Sequence, residues 1–189
     1  MSRLLLFIPL CLFAGLGIIF ALSIGESPQN AANAMVGKRI PDFTLPGFNL
    51  KQSDPKSQDY TLAQVRGIVS VGEPWLINVF ASWCAQCYLE HGFITRLSEQ
   101  VMVVGLNYKD PPENAGKFLT ELGNPYNLVL ADLPGDYAFD LGVSGAPETF
   151  LISPDGQILA RHAGVIDRLV WDQKFAELWR QYSEPIFKE

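Results

Sequence analysis

Two long apolar runs set the frame of this chain: Trp75-Leu76-Ile77-Asn78-Val79-Phe80 and Val101-Met102-Val103-Val104-Gly105-Leu106-Asn107. Near-continuous runs of this length, without polar alternation, are the pattern of strands covered on both faces. Between them, Leu89 to Leu97 reads as a helix, and Glu113 to Leu122 places Ala115, Phe118, Leu119 and Leu122 on one helical face, stopped by Gly123 and Pro125. A strand at Leu128-Val129-Leu130 and a short helix around Asp136 to Leu141 follow. Thr149-Phe150-Leu151-Ile152 and Gln157-Ile158-Leu159-Ala160 flank the turn sequence Ser153-Pro154-Asp155-Gly156 and predict a β-hairpin. A last helix is expected from Asp167, a good N-cap residue, to Tyr182. Upstream, a short strand is expected at Phe43-Thr44-Leu45, with turns around Pro46-Gly47 and Asp54-Pro55. The sum is an α/β chain, a central sheet with helices on both faces.

The first residues differ in kind. From Leu4 to Ile24 no charged residue occurs, and the stretch is long enough to cross a bilayer as a helix. Its length favours an uncleaved anchor over a signal peptide, for which Ala21-Leu22-Ser23 would be a loose cleavage site. Arg3 precedes the run and Glu26 follows it, so the positive-inside rule puts the N-terminus in the cytoplasm and the body outside. In a Gram-negative bacterium that means an inner-membrane protein, single-pass, with its C-terminal domain in the oxidising periplasm. Cys11, inside the span, has no small residue before it and reads as an apolar filler. Residues 25–37 are small and polar, the composition of a flexible tether. The expected organisation is therefore an anchor over 1–24, a linker over 25–37 and one folded domain over 38–189.

A chain of 189 residues with 48% hydrophobic content holds one ordinary core beyond such a segment. The formal net charge of −6 and the lack of a Lys/Arg cluster argue against nucleic acid as a partner.

Chemistry concentrates at Trp83-Cys84-Ala85-Gln86-Cys87, directly after the first apolar run. A strand that delivers C-x-x-C onto a helix start puts Cys84 where free backbone N–H groups and the helix dipole favour a thiolate. The thiolate is the attacking species in disulfide exchange, and Cys87 stands ready to resolve a mixed disulfide. Two other readings exist. A zinc site would need two more ligands, and the remaining candidates, Cys11, His91 and His162, form no paired motif. A structural disulfide across two residues would remove little loop entropy. No metal and no cofactor is expected. His91 reads as a helix surface residue, and His162 shows no pairing that suggests a ligand.

Gly142-Val143-Ser144-Gly145-Ala146-Pro147-Glu148-Thr149 is the second informative stretch, with a proline at a strand start where it need not donate to a ladder. Taken with the upstream Trp-Cys-x-x-Cys, it resembles the thioredoxin fold, in which this proline is cis and faces the dithiol. The blocks Trp83 to His91, Asn107-Tyr108-Lys109-Asp110, Leu122-Gly123-Asn124-Pro125-Tyr126 and Gly145 to Ile152 narrow the resemblance. Together they are similar to the DsbE/CcmG family, membrane-anchored thiol:disulfide interchange proteins of cytochrome c maturation in the TlpA/ResA group. The resemblance implies a thioredoxin-like domain with an N-terminal extension, a helix–strand insert near 113–130, and a preceding transmembrane helix.

It further implies a protein-disulfide reductase in which Cys84 and Cys87 are catalytic and form the redox-active disulfide. Trp83, Glu90, Ala146, Pro147 and Glu148 would form the site's environment. A carboxylate at Glu90 or Glu148 near Cys84 would oppose thiolate formation, which makes a dithiol a better donor. The bland alternatives are an exposed helix residue for Glu90 and a solvated strand-start residue for Glu148. Apocytochrome c, other maturation proteins and a DsbD/CcdA-type membrane reductase would be partners. Ala85-Gln86 departs from the proline-containing pair frequent between the family's cysteines. Alternatives are a general periplasmic TlpA/ResA-like reductase or a copper or haem-pathway binding module, although copper-delivery relatives are expected to carry a C-x-x-x-C and a distal histidine. A peroxidase is disfavoured by Ala81 three residues before Cys84.

Overall fold

The computed structural model describes residues 12–18, 35–48, 58–69 and 72–183. Two units separate, Met1–Ala34 and Met35–Glu189. In the first, residues 12–18 are helical, and among the described residues no helix is long and apolar enough to cross a membrane. Most of the expected span over 4–24 with Cys11, most of the 25–37 tether, and the Asp54-Pro55 turn lie outside the described residues.

The second unit is a mixed sheet of seven strands in the order β2-β1-β5-β4-β3-β6-β7. In chain order the elements are β1 (Thr44–Phe48), β2 (Gln58–Thr61), α1 (Leu62–Val69), β3 (Trp75–Phe80), α2 (Ala85–Leu97), β4 (Val103–Tyr108), α3 (Pro112–Leu122), β5 (Leu128–Asp132), α4 (Asp136–Asp140), β6 (Glu148–Ile152), β7 (Ile158–Ala163), α5 (Arg168–Lys174) and α6 (Ala176–Ser183). Strands β3, β4 and β5 run parallel, while β1 and β6 join them antiparallel. The C-terminal ends of the three parallel strands therefore share one edge of the sheet with the N-terminal ends of β1 and β6.

Two cores lie on the two faces, and the period of two along each strand assigns residues to them. Leu76 and Phe80 of β3 join Ile94 and Leu97 of α2, Phe118 and Leu119 of α3, and Phe175. Trp75, Ile77 and Val79 join Leu62, Val65 and Val69 of α1 and Tyr137 of α4. Asn78 alternates onto the α2 face and is 1% exposed, an amide inside an apolar strand. On the same face, a Cβ at Gly105 would come within 2.7 Å of the Tyr126 ring and 2.9 Å of the Phe80 ring, so only glycine admits this stack.

The expected strand and helix pattern is present in β3, α2, β4, α3, β5, α4 and the β6–β7 hairpin, with three differences. Pro46 and Gly47 lie inside β1 rather than in a turn. The Tyr60 ring, from β2, lies over Gly47 where a side chain would stand, which is why a glycine is needed in the strand. The expected final helix is interrupted at Phe175, whose side chain is fully buried and stacks on Trp171 at 5.8 Å. Asp167 caps α5 as expected, accepting from the Val170 N–H at 2.8 Å. Finally, β2 and α1 form over residues 58–69, where the hydrophobic pattern predicts no element.

Candidate active site

Strand β3 ends at Phe80, and the four residues after it deliver Cys84 to the N-cap of α2 with extended backbone, φ −88° and ψ 101°. Its Sγ accepts from the Cys87 N–H at 3.2 Å. Cys84 and Cys87 are joined in a disulfide with Cα atoms 5.3 Å apart. Their exposures are 4% and 2%, so a partner must approach over the loop that carries them.

That loop is clamped from the end of β4. Asp110, itself buried, accepts from the Ser82 N–H and Ser82 Oγ, each at 2.8 Å, and from Asn107 Nδ2 at 2.8 Å. Trp83 Nε1 donates to the Lys109 carbonyl at 3.1 Å while the ring stays 56% exposed beside the dithiol. Lys109 adopts φ 48°, the left-handed conformation that turns its carbonyl and the next carboxylate toward the cysteine loop. The stretch Asn107-Tyr108-Lys109-Asp110 stands out in the sequence, but sequence alone assigns Asp110 no role; a carboxylate two residues past an apolar strand is the available signal.

Across the sheet, the β3–β6 ladder pairs Val79 with Glu148, so Ala146 and Pro147 lie beside the stretch running from Phe80 to Cys84. The Ala146–Pro147 bond is cis, and Ala146 packs against the cluster that contains both cysteines. Glu148 is 1% exposed rather than a solvated strand start. One oxygen accepts from Ser144 N–H at 2.8 Å, from Ser144 Oγ and from Gly145 N–H at 3.2 Å. The other meets Arg161 of β7, with Nε at 2.9 Å and a terminal guanidinium nitrogen at 2.7 Å. The carboxylate thus ties the loop before the cis proline to β7.

Glu90 is buried too, not an exposed helix residue. It stands three residues after Cys87 on α2, where side chains share a face. Its oxygens accept from Asn78 Nδ2 at 2.8 Å and from the Ile166 N–H at 2.9 Å. Burial lifts its carboxyl to about 7, against the opposing effect of those two donors. Asn78 extends the network, accepting from Tyr126 Oη at 2.7 Å and donating to Thr149 Oγ1 at 3.2 Å. Burial and the neighbouring Glu90 charge push the Tyr126 phenol well up. Asn78, Tyr126 and Thr149 were missed by sequence reasoning.

His91 is a correction. It is buried, its Nε2 lies 2.9 Å from the Gly123 carbonyl and its ring meets Phe118 edge-on, because α2 is covered by α3 as well as by the sheet. Burial lowers its pKa from the ordinary imidazole value. His162 lies within β7, with Lys174 Nζ at 3.1 Å from its Nδ1. Among the described residues, no group of three or more His, Cys, Asp or Glu is placed to hold a metal ion.

The arrangement, a dithiol at a helix N-cap beside a cis proline with a buried carboxyl one turn along, suits two-electron exchange with a disulfide. The redoxin family profile matches residues 35–175. The chain is 40% identical over 190 residues to the thiol:disulfide interchange protein DsbE of Escherichia coli K12, covering 97% of this chain and 98% of that one. It is 41% identical over 185 residues to the DsbE of Yersinia pestis, covering 95% and 94%. Among solved structures, it is similar to a thio-disulfide isomerase from Thermus thermophilus, with a TM-score of 0.55 and 27% identity over 71% of this chain and 90% of that one.

Proposed function

The chain belongs to the redoxin family, among the DsbE thiol:disulfide interchange proteins, and is a thiol–disulfide oxidoreductase with a thioredoxin-like fold; from that premise we propose that it is a membrane-anchored periplasmic reductant of apocytochrome c or of its maturation partners. The observation that carries the redox chemistry is the Cys84–Cys87 disulfide at the α2 N-cap beside cis Pro147.

In the reduced protein, the Cys84 thiolate attacks one sulfur of the client disulfide, and the other client sulfur leaves and takes up a proton. Cys87 then gives up its proton and attacks Cys84 Sγ, releasing the second client thiol. Two electrons and two protons pass to the client, and the protein is left with the disulfide seen here. The free N–H groups and dipole at the helix start favour the attacking thiolate. Glu90, with its carboxyl near 7, opposes that charge when ionised and can take the Cys87 proton when resolution begins. Trp83, Ala146 and Pro147 frame the approach, and Glu148 holds their loop through Ser144, Gly145 and Arg161.

Support for the direction of electron flow comes from the buried carboxyl, which disfavours the thiolate form and so makes the dithiol a donor. The apolar stretch 4–24 supports an inner-membrane anchor with the domain in the periplasm. An oxidising compartment requires an outside electron source, and a DsbD/CcdA-type membrane reductase fits that need. The testing experiment uses a Cys87→Ser variant, which stops the reaction at the Cys84 mixed disulfide. Mixed with a cytochrome c precursor peptide oxidised across its C-x-x-C-H, the variant is expected to form a covalent adduct. Equal trapping of unrelated disulfide peptides would favour the general TlpA/ResA-like reductase instead.

A further inference from the structure

At the edge of the sheet that carries the dithiol, a cavity of about 520 Å³ opens two strands away from Cys84. Phe43 and Leu45 stand in its apolar part, and Asp42, Asp132, Asp136 and Asp140 in its acidic part. No basic residue is among its described lining. Asp132 is committed to the fold, accepting from the Gly135 and Ala138 N–H groups, but Asp42, Asp136 and Asp140 are exposed. Tyr137 lines the same cavity, is 5% exposed, and its hydroxyl is buried with no hydrogen-bond partner among the described residues. A buried hydroxyl left without a partner, facing a cavity rimmed by carboxylates, is what an incomplete polar site leaves behind.

The cavity and the redox site lie at the same end of the parallel strands, with Tyr108 and Lys109 between them. The Trp83 and Tyr108 ring centres are 6.5 Å apart, Lys109 sits over Tyr108 at 5.3 Å, and the Lys109 and Tyr108 side chains fill the space where a Cβ on Gly135 would stand, just before α4 and the cavity wall. Since β3, β4 and β5 are parallel, the loops bearing Cys84, Lys109 and Pro134 stand in a row along the carboxyl ends of the strands, where open α/β sheets bind ligands. We propose that this cavity is a second docking subsite for the disulfide-bearing client, taking a lysine or arginine next to an apolar residue, in an extended segment that runs from Cys84 past Trp83 and Tyr108. The apolar floor receives the stem of the cation and its neighbour, and the aspartates receive its charge.

This proposal rests on the reductase reading, and its test separates the two. The reduced full chain is mixed with two synthetic disulfide peptides, equal in length, one carrying Leu-Lys beyond the disulfide and the other Leu-Glu. Hydroxyethyl disulfide, small and uncharged, is the common reference. The lysine peptide is expected to react roughly three- to tenfold faster than the glutamate peptide at low salt. The advantage is expected to vanish in the Asp42→Asn/Asp140→Asn variant, with the hydroxyethyl disulfide rate unchanged. A cysteine-free lysine peptide should also shift the amide resonances of residues 42–46 and 131–140 in the wild-type chain. Equal rates for the two peptides, or no shifts at those amides, while hydroxyethyl disulfide is still reduced, would overturn the subsite. Failure to reduce any disulfide, with the shifts present, would overturn the reductase reading and leave the subsite standing.

Discussion

Replacing Glu90 by glutamine isolates the cost of holding a carboxyl between α2 and the sheet. In the native protein the group titrates near 7 because burial penalises its charge, against an ordinary value of 4.5. A group raised on folding keeps its proton longer in the native state. Its share of stability is therefore whole below about pH 4.5 and is lost as pH rises through about 7. At about 1.4 kcal/mol for each tenfold change, that interval corresponds to a loss of about 3 kcal/mol. Glutamine cannot ionise, and its oxygen still accepts from Asn78 Nδ2. Its amide, however, meets the Ile166 N–H donor to donor, at a cost of about 1 to 3 kcal/mol. The assay is urea unfolding of the oxidised 35–189 unit, followed by tryptophan fluorescence, from about pH 5 to about pH 8. Glu90→Gln should be the less stable protein at the acid end and should match or exceed the wild type at the alkaline end, with a flatter profile between. Parallel profiles for the two proteins would refute the argument, because Glu90 would then carry its charge at no cost.

Two further substitutions probe how the loops at the dithiol are held. Arg161→Leu leaves the buried Glu148 carboxylate uncompensated, and the expected loss is about 3 to 5 kcal/mol in the same unfolding assay; a loss under about 1 kcal/mol would mean that Ser144 and Gly145 alone satisfy Glu148. Asp110→Asn weakens the charge-assisted hydrogen bonds to Ser82, so about 1 to 3 kcal/mol of stability should go, together with slower exchange at Cys84 in a stopped-flow assay against a small disulfide. Unchanged exchange would show that the Trp83–Lys109 bond is sufficient to place the cysteine loop.

The parts of this molecule that sequence could reveal are those whose cause is local. Cys84 and Cys87 announce themselves by spacing, and the N-cap geometry follows from a strand that ends four residues earlier. The β6–β7 hairpin is written in Ser153 to Gly156, and the alternation of Trp75, Ile77 and Val79 against Leu76 and Phe80 divides the two cores. What stayed hidden is set by distant partners. Pro46 and Gly47 look like a turn until Tyr60 is laid over the glycine. Glu90 and His91 are adjacent on a helix, and one of the two would ordinarily face water; α3 and the Ile166 segment cover both. Glu148 and Arg161 are thirteen residues apart, and only the β6–β7 register brings them together. Asn78 stood in plain view in an apolar strand, but its partners come from α2, the segment before β5, and β6.

The central claim is that the Cys84–Cys87 pair gives electrons to its partners rather than taking them. Its most direct test is the equilibrium reduction potential of the 35–189 unit, titrated in glutathione and dithiothreitol buffers. An electron-donating pair should have a value near that of thioredoxin, about −270 mV, or only modestly above it. A value approaching that of DsbA, about −120 mV, would make the pair an oxidant and would contradict the account.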